Sequence, residues 1–461
     1  MADDPELPDT KTPAQTEAQV EERNQKATHM HALQLTEADV QAEAHGRPWS
    51  LDSCIHYAIS HNLDVRGAYF DLKGGYLDVV EAKDRFLPTL SASATQGWAF
   101  GRGLTSQNTY ADRNTSTTGW NVGFQLPLFQ GLSALRQLRL AQSRMRTLDL
   151  QLAHARDEVT LQVIGLYLQT LYNREMVNVR HEELRLSEVQ LRLQQDLLEG
   201  GKVPEADVLQ ARAQVASNQV SVINAENDYR LAIVDLTRAL ELGEVEGFDI
   251  QELDFANGIP AVPRAEKVYD EAMELNNGLL AARSAVRDAD FAISAAKTGY
   301  IPQLSFNAGV GSSYYSVSGT ETLAFNKQMK DNFATSVGIS LSIPIFDAFS
   351  TRNQMRRARL QRQQALLDVE RRESELLKTI RQAHSQAVGA RAQYQAGEWS
   401  VQASKAALEA MTEKYTYGRA NATEWQQAQT DYITTLAQLL QAKYELILRC
   451  RILRFYMGRD N

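Results

Sequence analysis

One arrangement of residues occurs twice in the chain of 461 residues, and this internal repeat limits the possible folds more than any other feature. Residues 86–91 read FLPTLS, and residues 300–305 read YIPQLS, 214 positions later. Residues 126–129 (LPLF) are followed 217 positions later by residues 343–346 (IPIF). Further pairs at these two offsets are Ala58 and Ala272, Asn62 and Asn276, Gly201 and Gly418, and Asp207 and Glu424. A repeat of this length predicts two halves that share one architecture.

Each half contains two short segments in which apolar residues alternate with small polar ones. In the last of them, Val337 and Ile339 lie on one face while Gly338 and Ser340 lie on the other. This period of two predicts strands, which we place at about 89–100, 118–127, 303–316 and 333–344, joined by polar loops at about 101–117 and 317–332. Lengths of about 10 residues are typical of tilted strands that cross a membrane. The alternation also fits two half-buried hairpins on a soluble domain, so both interpretations stay open at this point.

Long helical segments connect the predicted strands. Residues 129–199 contain no proline, and at about 1.5 Å per residue they form roughly 105 Å of helix. Residues 348–417 match this segment in the second half. Four shorter helices are predicted at about 51–86, 205–243, 264–299 and 421–457. Two short helices placed end to end therefore match one long helix, which is a way to build a cylinder of even height.

Both long helices carry two apolar stripes with a period of seven residues. In the first helix the stripes are Val177, Leu184, Leu191 and Leu198, and Val179, Leu186 and Leu193. In the second they are Tyr394, Val401, Leu408 and Tyr415, and Ala396, Ala403, Ala410 and Tyr417. The two stripes are two positions apart, a rotation of about 200°, so they lie on opposite sides. Two opposed stripes predict a neighbouring helix on each side, as in a closed ring of helices.

Composition excludes several classes of protein. No run approaches the roughly 18 apolar residues of a membrane-spanning helix, and a formal charge of −9 disfavours nucleic acid as a partner. Two cysteines, Cys54 and Cys450, are too few for a disulfide framework or a thiolate metal site. The eight histidines form no HExxH pattern, and the chain shows no other catalytic or phosphate-binding motif. We therefore expect no enzyme activity, no cofactor and no metal.

With this repeat, these strands and these helices, the chain resembles the TolC-like outer-membrane efflux proteins over about residues 49–458. The resemblance rests on the opening segment 51–58 (LDSCIHYA) with Asn62, and on motifs that follow in the order of the family. These motifs are the proline steps at Pro88 and Pro302, the returns at Pro127 and Pro344, and the glycine turns at Gly201 and Gly418. It implies a mainly α fold with a β-barrel portion, in which three copies form a twelve-stranded outer-membrane β-barrel and a twelve-helix periplasmic α-barrel.

The resemblance also implies a division of the chain. We expect a polar N-terminal extension over residues 1–47, a first repeat over 48–246, a connecting equatorial segment over 247–263 and a second repeat over 264–461. Residues 1–47 show no secretory signal and no cysteine for lipidation, and we interpret them as the start of an exported, mature chain. Because chain ends in this family meet near the middle of the tunnel, a disulfide between Cys54 and Cys450 is a further expectation.

The implied function is that of a passive exit duct for small molecules or proteins in a tripartite efflux or secretion system. The expected partners are two further copies of the chain, a periplasmic adaptor protein, an inner-membrane pump of the RND or ABC type, and outer-membrane lipid. The residues identify neither the transported substrate nor the energy source of the pump. The alternative is a cytosolic or periplasmic helical coiled-coil scaffold without channel activity, which fits the helices but not the four alternating strands.

The candidate functional residues lie at the two helical turns, where the resemblance implies a closed periplasmic gate and the contact with the adaptor. They are Gly201 and Gly418 in the turns, and Asp207, Tyr415, Arg419, Glu424 and Gln427 beside them. Tyr415 corresponds to a tyrosine that constrains the gate by bonding an acid, here Asp207. Glu424 corresponds to one of two acids that ring the pore, Gln427 replaces the second, and Arg419 lies one position away from the family's arginine. A simpler interpretation is that Asp207 and Glu424 are ordinary first-turn acids, with Asn421 and Glu424 forming a capping box.

Overall fold

The computed structural model describes residues 48–104, 108–243, 247–253, 261–318 and 320–458, and the extension predicted over 1–47 lies outside them. In chain order the elements are α1 (Leu51–His61), α2 (Leu63–Asp84), β1 (Thr89–Ala99), β2 (Arg102–Leu104), β3 (Tyr110–Asp112), β4 (Thr115–Phe129), α3 (Ser133–Glu199), α4 (Glu205–Ala239), α5 (Ala265–Leu275), α6 (Asn277–Ala296), β5 (Gln303–Val317), α7 (Phe325–Asp331), β6 (Ala334–Ser342), α8 (Ser350–Thr416) and α9 (Ala422–Tyr456). One 3-10 turn (Lys297–Tyr300) follows α6.

The internal repeat is confirmed at the scale of whole helices. Helices α3 and α8 have 67 residues each, or about 100 Å of helix, and they begin 217 positions apart. Helices α4 and α9 have 35 residues each and begin at the same offset. Helices α1 and α5 have 11 residues each and begin 214 positions apart. The fold is therefore mainly helical, with two long strands in each half.

The helices predicted over 51–86 and 264–299 are each interrupted, and an asparagine explains the break. Asn62 ends α1 with ψ 135° and caps α2, since its side chain accepts a hydrogen bond from the backbone N–H of Asp64. Asn276 does the same between α5 and α6, where it accepts from the N–H of Leu279 at 2.9 Å. An extended residue with an amide side chain stops one helix and starts the next, so the prediction of single helices was wrong.

Strands β1, β4, β5 and β6 form one antiparallel sheet in that order. They occupy the four predicted places, and their ends differ from the predicted ones by at most three residues. The pairing brings apolar residues together across the strands, as in Leu90 with Phe124 and Phe306 with Ile339. A slip of one residue would move each apolar set to the opposite face. The pairing therefore separates an apolar face from a small polar one.

The predicted polar loops are more ordered than expected. The loop over 101–117 contains the hairpin of β2 and β3, and the loop over 317–332 contains α7. Helix α7 packs on β5, where the Phe325 ring lies 5.1 Å from that of Tyr314 and Ser312 Oγ donates to the carbonyl oxygen of Met329 at 2.7 Å. Elements of three to seven residues are too short to show a period, so the sequence pattern did not reveal them.

Each long helix begins at a corner made of two consecutive left-handed residues. These pairs are Gly131 with Leu132 and Ala348 with Phe349, all with φ between 51° and 63°. The left-handed region costs a residue other than glycine about 1–2 kcal/mol. Glycine is needed at position 131 for a second reason, since a Cβ there would lie 2.8 Å from the Cβ of Ile301. The corners turn the chain from the sheet into the long helices.

The largest buried cluster surrounds the middle of α3, where Tyr167 and Leu168 are almost fully buried. The Tyr167 hydroxyl lies 2.6 Å from the carbonyl oxygen of Gln251 and 3.0 Å from that of Trp49. Trp49 also pairs with Ile250 in an isolated parallel bridge. The segment before α1 and the segment after α4 are thereby attached to the long helix at one level.

Both cysteines are buried, but no disulfide joins them. Cys54 belongs to the cluster around Tyr167, whereas Cys450 packs with Ala390 and Leu446 in a separate cluster. The expected disulfide between Cys54 and Cys450 is therefore wrong. Burial raises the pKa of the Cys450 thiol above its usual range, which keeps this thiol protonated as a small apolar core residue.

Candidate channel wall and gate

The two faces of the four-stranded sheet differ in chemistry. The apolar face carries Leu90, Val122, Phe124, Phe306, Val310, Val337 and Ile339. Its side chains are open to the surroundings, since Leu90 is 74% and Val337 69% exposed. The opposite face borders a hollow of about 370 Å³ whose lining includes Ser93, Thr95, Asn121, Ser313 and Ser336. An exposed apolar face backed by a hollow polar one is the arrangement of a wall between lipid and water.

Two helical turns, between α3 and α4 and between α8 and α9, form what we call the tip. Each turn contains a left-handed glycine, Gly201 with φ +66° and Gly418 with φ +72°. The glycine N–H donates to the carbonyl three residues back, and the next N–H donates to the carbonyl five residues back, at 2.8 to 3.0 Å. This pair of bonds satisfies carbonyl groups that the helix end leaves without a partner. Both predicted glycine turns have the geometry that requires glycine.

Asp207 and Glu424 occupy equivalent places, each the third residue of the helix that leaves a turn. Glu424 completes a capping box: its carboxylate accepts from the N–H of Asn421 at 3.1 Å, and its own N–H donates to Asn421 Oδ1 at 2.8 Å. Pro204 precedes α4 at the N-cap position and provides no side-chain cap. Asp207 is half-buried, whereas Glu424 is exposed. The two acids thus share a position on their helices but differ in their surroundings.

Tyr415 is 6% exposed and packs beside the ring of Trp425. The amide nitrogen of Gln194 donates a hydrogen bond to the Tyr415 hydroxyl. Burial raises the pKa of Tyr415, and the negative charge of Asp207 raises it further, so the hydroxyl stays protonated. The family resemblance implied Asp207 as the bonding partner of Tyr415. In the described chain that partner is Gln194, and Asp207 acts on the hydroxyl through its charge.

Arg419 and Gln427 lie on the exposed surface of the tip. The backbone N–H of Arg419 takes part in the second turn, and its side chain makes no ion pair with the described residues of the same chain. The Gln427 side chain donates to Asp431 Oδ1, one helical turn further along α9, at 2.8 Å. Within one chain, therefore, neither residue is brought to Tyr415 or Asp207.

A network of amide side chains between the tip helices was missed by the sequence analysis. Gln426 donates to Gln214 at 3.0 Å, and Gln214 donates to Asn218 at 3.0 Å. Asn218 and Gln429 in turn both donate to the backbone carbonyl oxygen of Glu183 on α3. The available signal was the spacing of these amides at three or four residues on one helix, which places them on one face.

No cluster of three or more His, Cys, Asp or Glu side chains in the described part of the chain has the arrangement of a metal site. A search of the same residues finds no helix with the length and apolar character needed to cross a lipid bilayer.

A sheet with one exposed apolar face, joined to helices of about 100 Å that end in two tight turns, is the arrangement of an outer-membrane channel-tunnel. The sequence profile of the outer membrane efflux protein family matches residues 54–241 and 268–459, once in each half. The chain belongs to this family, and it is an outer-membrane protein with a tunnel in the periplasm. The matches favour an efflux channel over the alternative of a helical scaffold without channel activity.

Individual relatives are similar along most of the chain. The outer membrane efflux protein BepC of Brucella suis is 24% identical over 383 residues, which cover 83% of this chain and 79% of BepC. The alkaline protease secretion protein AprF of Pseudomonas aeruginosa is 23% identical over 414 residues, covering 87% and 83%. The crystal structure of CusC superposes with a TM-score of 0.72 at 16% identity and covers 88% of this chain and 91% of CusC. The fold is therefore shared although most residues differ.

Proposed function

We propose that three copies of this chain form a passive exit duct through the outer membrane for small molecules or proteins. An inner-membrane pump of the RND or ABC type would supply the energy, and a periplasmic adaptor would connect it to the tip. The relatives support both kinds of cargo, since BepC is an efflux protein and AprF is a protease secretion protein. The absence of a catalytic role follows from the same proposal, because a duct needs only a lining and a gate.

The observation that carries this proposal is the incomplete sheet. Strands β1 and β6 are its edges, and each has a neighbour on one side only within the described residues. In lipid an unpaired strand edge leaves backbone groups without hydrogen bonds, at a cost of several kcal/mol for each group. Four strands are too few to close on themselves, whereas three copies supply twelve. Pairing of β6 with β1 of the next copy would remove all edges.

The long helices supply independent support. On α8 the stripe of Leu408 and Tyr415 is buried within the chain, mainly against side chains of α3 and α9. The opposite stripe, with Ala403, Ala410 and Tyr417, is exposed, and Tyr417 reaches 72%. A second apolar stripe that none of the described elements covers fits a helix of the neighbouring copy. Small alanines at this stripe permit a close approach between helices.

In the assembled duct the tip is the gate. The contacts of Tyr415 with Gln194 and Asp207 hold the end of α8 against the end of α3 and the start of α4 within each copy. Three copies would bring three Glu424 carboxylates around the axis, with Gln427 one helical turn deeper, and this ring would favour cations. The turns at Gly201 and Gly418 are the outermost part of the tip and the surface for the adaptor. Arg419 beside the second turn is the candidate for a contact between copies.

Membrane fractionation and electrical recording test the function. The full chain, expressed with an export signal, should be extracted from outer membranes by detergent as a trimer that resists SDS at room temperature. In planar lipid bilayers the trimer should produce small, uniform conductance steps, because the gate is closed. A monomer in the soluble fraction, or a trimer without conductance in any lipid, would contradict the proposal.

A further inference from the structure

A small cavity lies between α3, α4 and α9, inside the tip. Its volume of about 20 Å³ accommodates one particle of the size of a water molecule or an alkali-metal cation. The lining includes Gln190, Gln194, Asp207, Thr423 and Gln426. Glu424 is not part of the lining, so the cavity is distinct from the proposed ring of carboxylates on the channel axis.

Two buried oxygen atoms of this lining have no hydrogen-bond partner. They are the Oε1 atoms of Gln190 and Gln194, which find no donor among the described residues. The two side chains are 5% and 1% exposed, so bulk water does not satisfy these atoms. A buried acceptor without a partner costs about 1–3 kcal/mol. Two such atoms on one cavity imply an occupant that contacts both.

The neighbouring hydrogen bonds determine what kind of occupant fits. Gln194 donates through its nitrogen to Tyr415, and Gln426 donates through its nitrogen to Gln214. The unpartnered oxygens of Gln190 and Gln194 and the carboxylate of Asp207 are therefore the acceptors on the cavity lining. A water molecule has only two hydrogens to donate, whereas a cation satisfies all surrounding acceptors together. Carboxylate and amide oxygens are the ligands of hard cations, and one carboxylate balances a single positive charge.

We propose that the tip cavity binds one alkali-metal cation, Na⁺ or K⁺, through the oxygens of Gln190, Gln194 and Asp207. The cation connects the last turns of α3 to the first turn of α4. It also neutralises the carboxylate that lies beside the Tyr415 hydroxyl. Its binding is a property of one folded chain, while its effect on opening rests on the proposed function of the tip as a gate.

Thallium(I) replaces K⁺ and is located by its anomalous scattering, so crystals of the full-length trimer soaked in thallium acetate test the site. We expect an anomalous peak in the cavity of the parent protein. Gln190→Met keeps the side-chain volume but removes the oxygen, and it should abolish the peak. Gln195→Met is the matched control, because Gln195 is the neighbouring residue on α3 and does not line the cavity. The control should keep the peak.

Two outcomes would overturn the proposal. One is an ordered water in the cavity of the parent protein without any anomalous signal, and the other is a thallium peak that survives Gln190→Met. A second measurement follows exchange of the backbone amides in the first turn of α4, in NaCl and in choline chloride of equal ionic strength. Exchange should be severalfold slower in NaCl for the parent and equal in both salts for Gln190→Met. Channel recordings are not needed for either result, so a failed gate and an empty site are distinguishable.

Discussion

At the residue scale, the most perturbed acid of the described chain lies far from the tip. Asp157 on α3 accepts a hydrogen bond from Asn277 Nδ2 at 2.9 Å, at the start of α6. Burial raises the pKa of Asp157 from 3.8 to about 6, with the Asn277 bond lowering it and Glu158 raising it. His154, one turn earlier, lies against Gly278, where a Cβ would approach its ring to 2.9 Å. An acid is thus held in the contact between two helices.

This pKa predicts how stability changes with pH. Because the folded-state pKa of Asp157 exceeds its ordinary value, its protonation stabilises the fold fully below pH 3.8, and this contribution is lost as pH rises through about 6. Asp157→Asn mimics the protonated form at every pH, so the variant should not lose this stability as pH rises. Between pH 4 and 7 the parent should lose up to about 3 kcal/mol relative to the variant. Melting temperatures of both proteins across this range measure the difference, and parallel curves would contradict the prediction.

The contacts of Tyr415 predict a second residue-scale effect. Gln194→Met removes the hydrogen bond to the Tyr415 hydroxyl, and Tyr415→Phe with Asp207→Ala removes the hydroxyl and the neighbouring charge. Loss of a buried hydrogen bond costs about 1–3 kcal/mol, so the closed tip should lose roughly tenfold or more in population.

Single-channel conductance in planar bilayers should therefore rise in both variants. Tyr76→Phe is the matched control, because Tyr76 on α2 is 58% exposed, lies outside the tip and loses only its hydroxyl. Unchanged conductance in the variants, or an equal rise in the control, would exclude Tyr415 as a constraint on the gate.

The sequence predicted some of these side chains and not others, for a physical reason. The capping box of Asn421 and Glu424 was predictable because both residues lie within one helical turn. The bond between Gln194 and Tyr415 joins residues 221 positions apart. Glutamine is a common residue on helix surfaces, so its presence on α3 did not mark a buried contact. Only the packing of the helices reveals that contact.

At the element scale, the turn between α3 and α4 contains two adjacent glycines with different roles. Gly201 has φ +66°, whereas Gly200 has φ −78°, which any residue adopts. A Cβ added to Gly201 would meet no atom within 4 Å, so only its backbone conformation resists substitution. The adjacent glycines therefore separate the effect of backbone conformation from that of side-chain contacts.

Gly201→Ala should lower the free energy of unfolding of the tip by about 1–2 kcal/mol, because alanine is strained in the left-handed region. Gly200→Ala should be neutral or slightly stabilising, since it only restricts the unfolded chain. Hydrogen exchange of the amides in the last turn of α3 and the first turn of α4 measures both changes. Equal protection in the two variants would show that the turn does not depend on the conformation of Gly201.

The elements themselves were predictable to different degrees. The long helices and the four strands have clear periods, and the repeat gave two independent observations of each. The breaks at Asn62 and Asn276 were visible as a matched pair but not recognised as helix ends, because an asparagine inside a helical pattern also occurs on a solvated face. The corners at Leu132 and Phe349 carry no sequence signal, since residues other than glycine rarely adopt φ near +63°.

At the scale of the whole molecule, several apolar surfaces and strand edges of the described chain remain exposed. The two edges of the sheet, the exposed apolar face and the second stripe of α8 are all left uncovered by the described residues of one chain. The repeat explains how one chain contributes two similar sectors to a ring. Alternation and heptads predicted these surfaces from the sequence, whereas the number of copies came from the family resemblance and remains a proposal.

The threefold arrangement predicts an effect that no single chain has. If three Glu424 side chains surround the axis, a multivalent cation added on the periplasmic side should block the channel, because it neutralises several carboxylates together. Glu424→Gln should weaken this blockade and preserve the fold, since glutamine also completes a capping box. Gln427→Glu should strengthen it by adding a second ring of charge on the next turn of α9.

Titration of the single-channel current with a trivalent cation measures the blocking concentration for the parent and both variants. The expected order is Gln427→Glu lowest, the parent intermediate and Glu424→Gln highest, with the differences shrinking at high salt because free ions screen the charges. Identical blocking concentrations in all three proteins would place Glu424 away from the axis. If only Gln427→Glu changes the blocking concentration, the axis passes beside Gln427 and Glu424 serves only to cap α9.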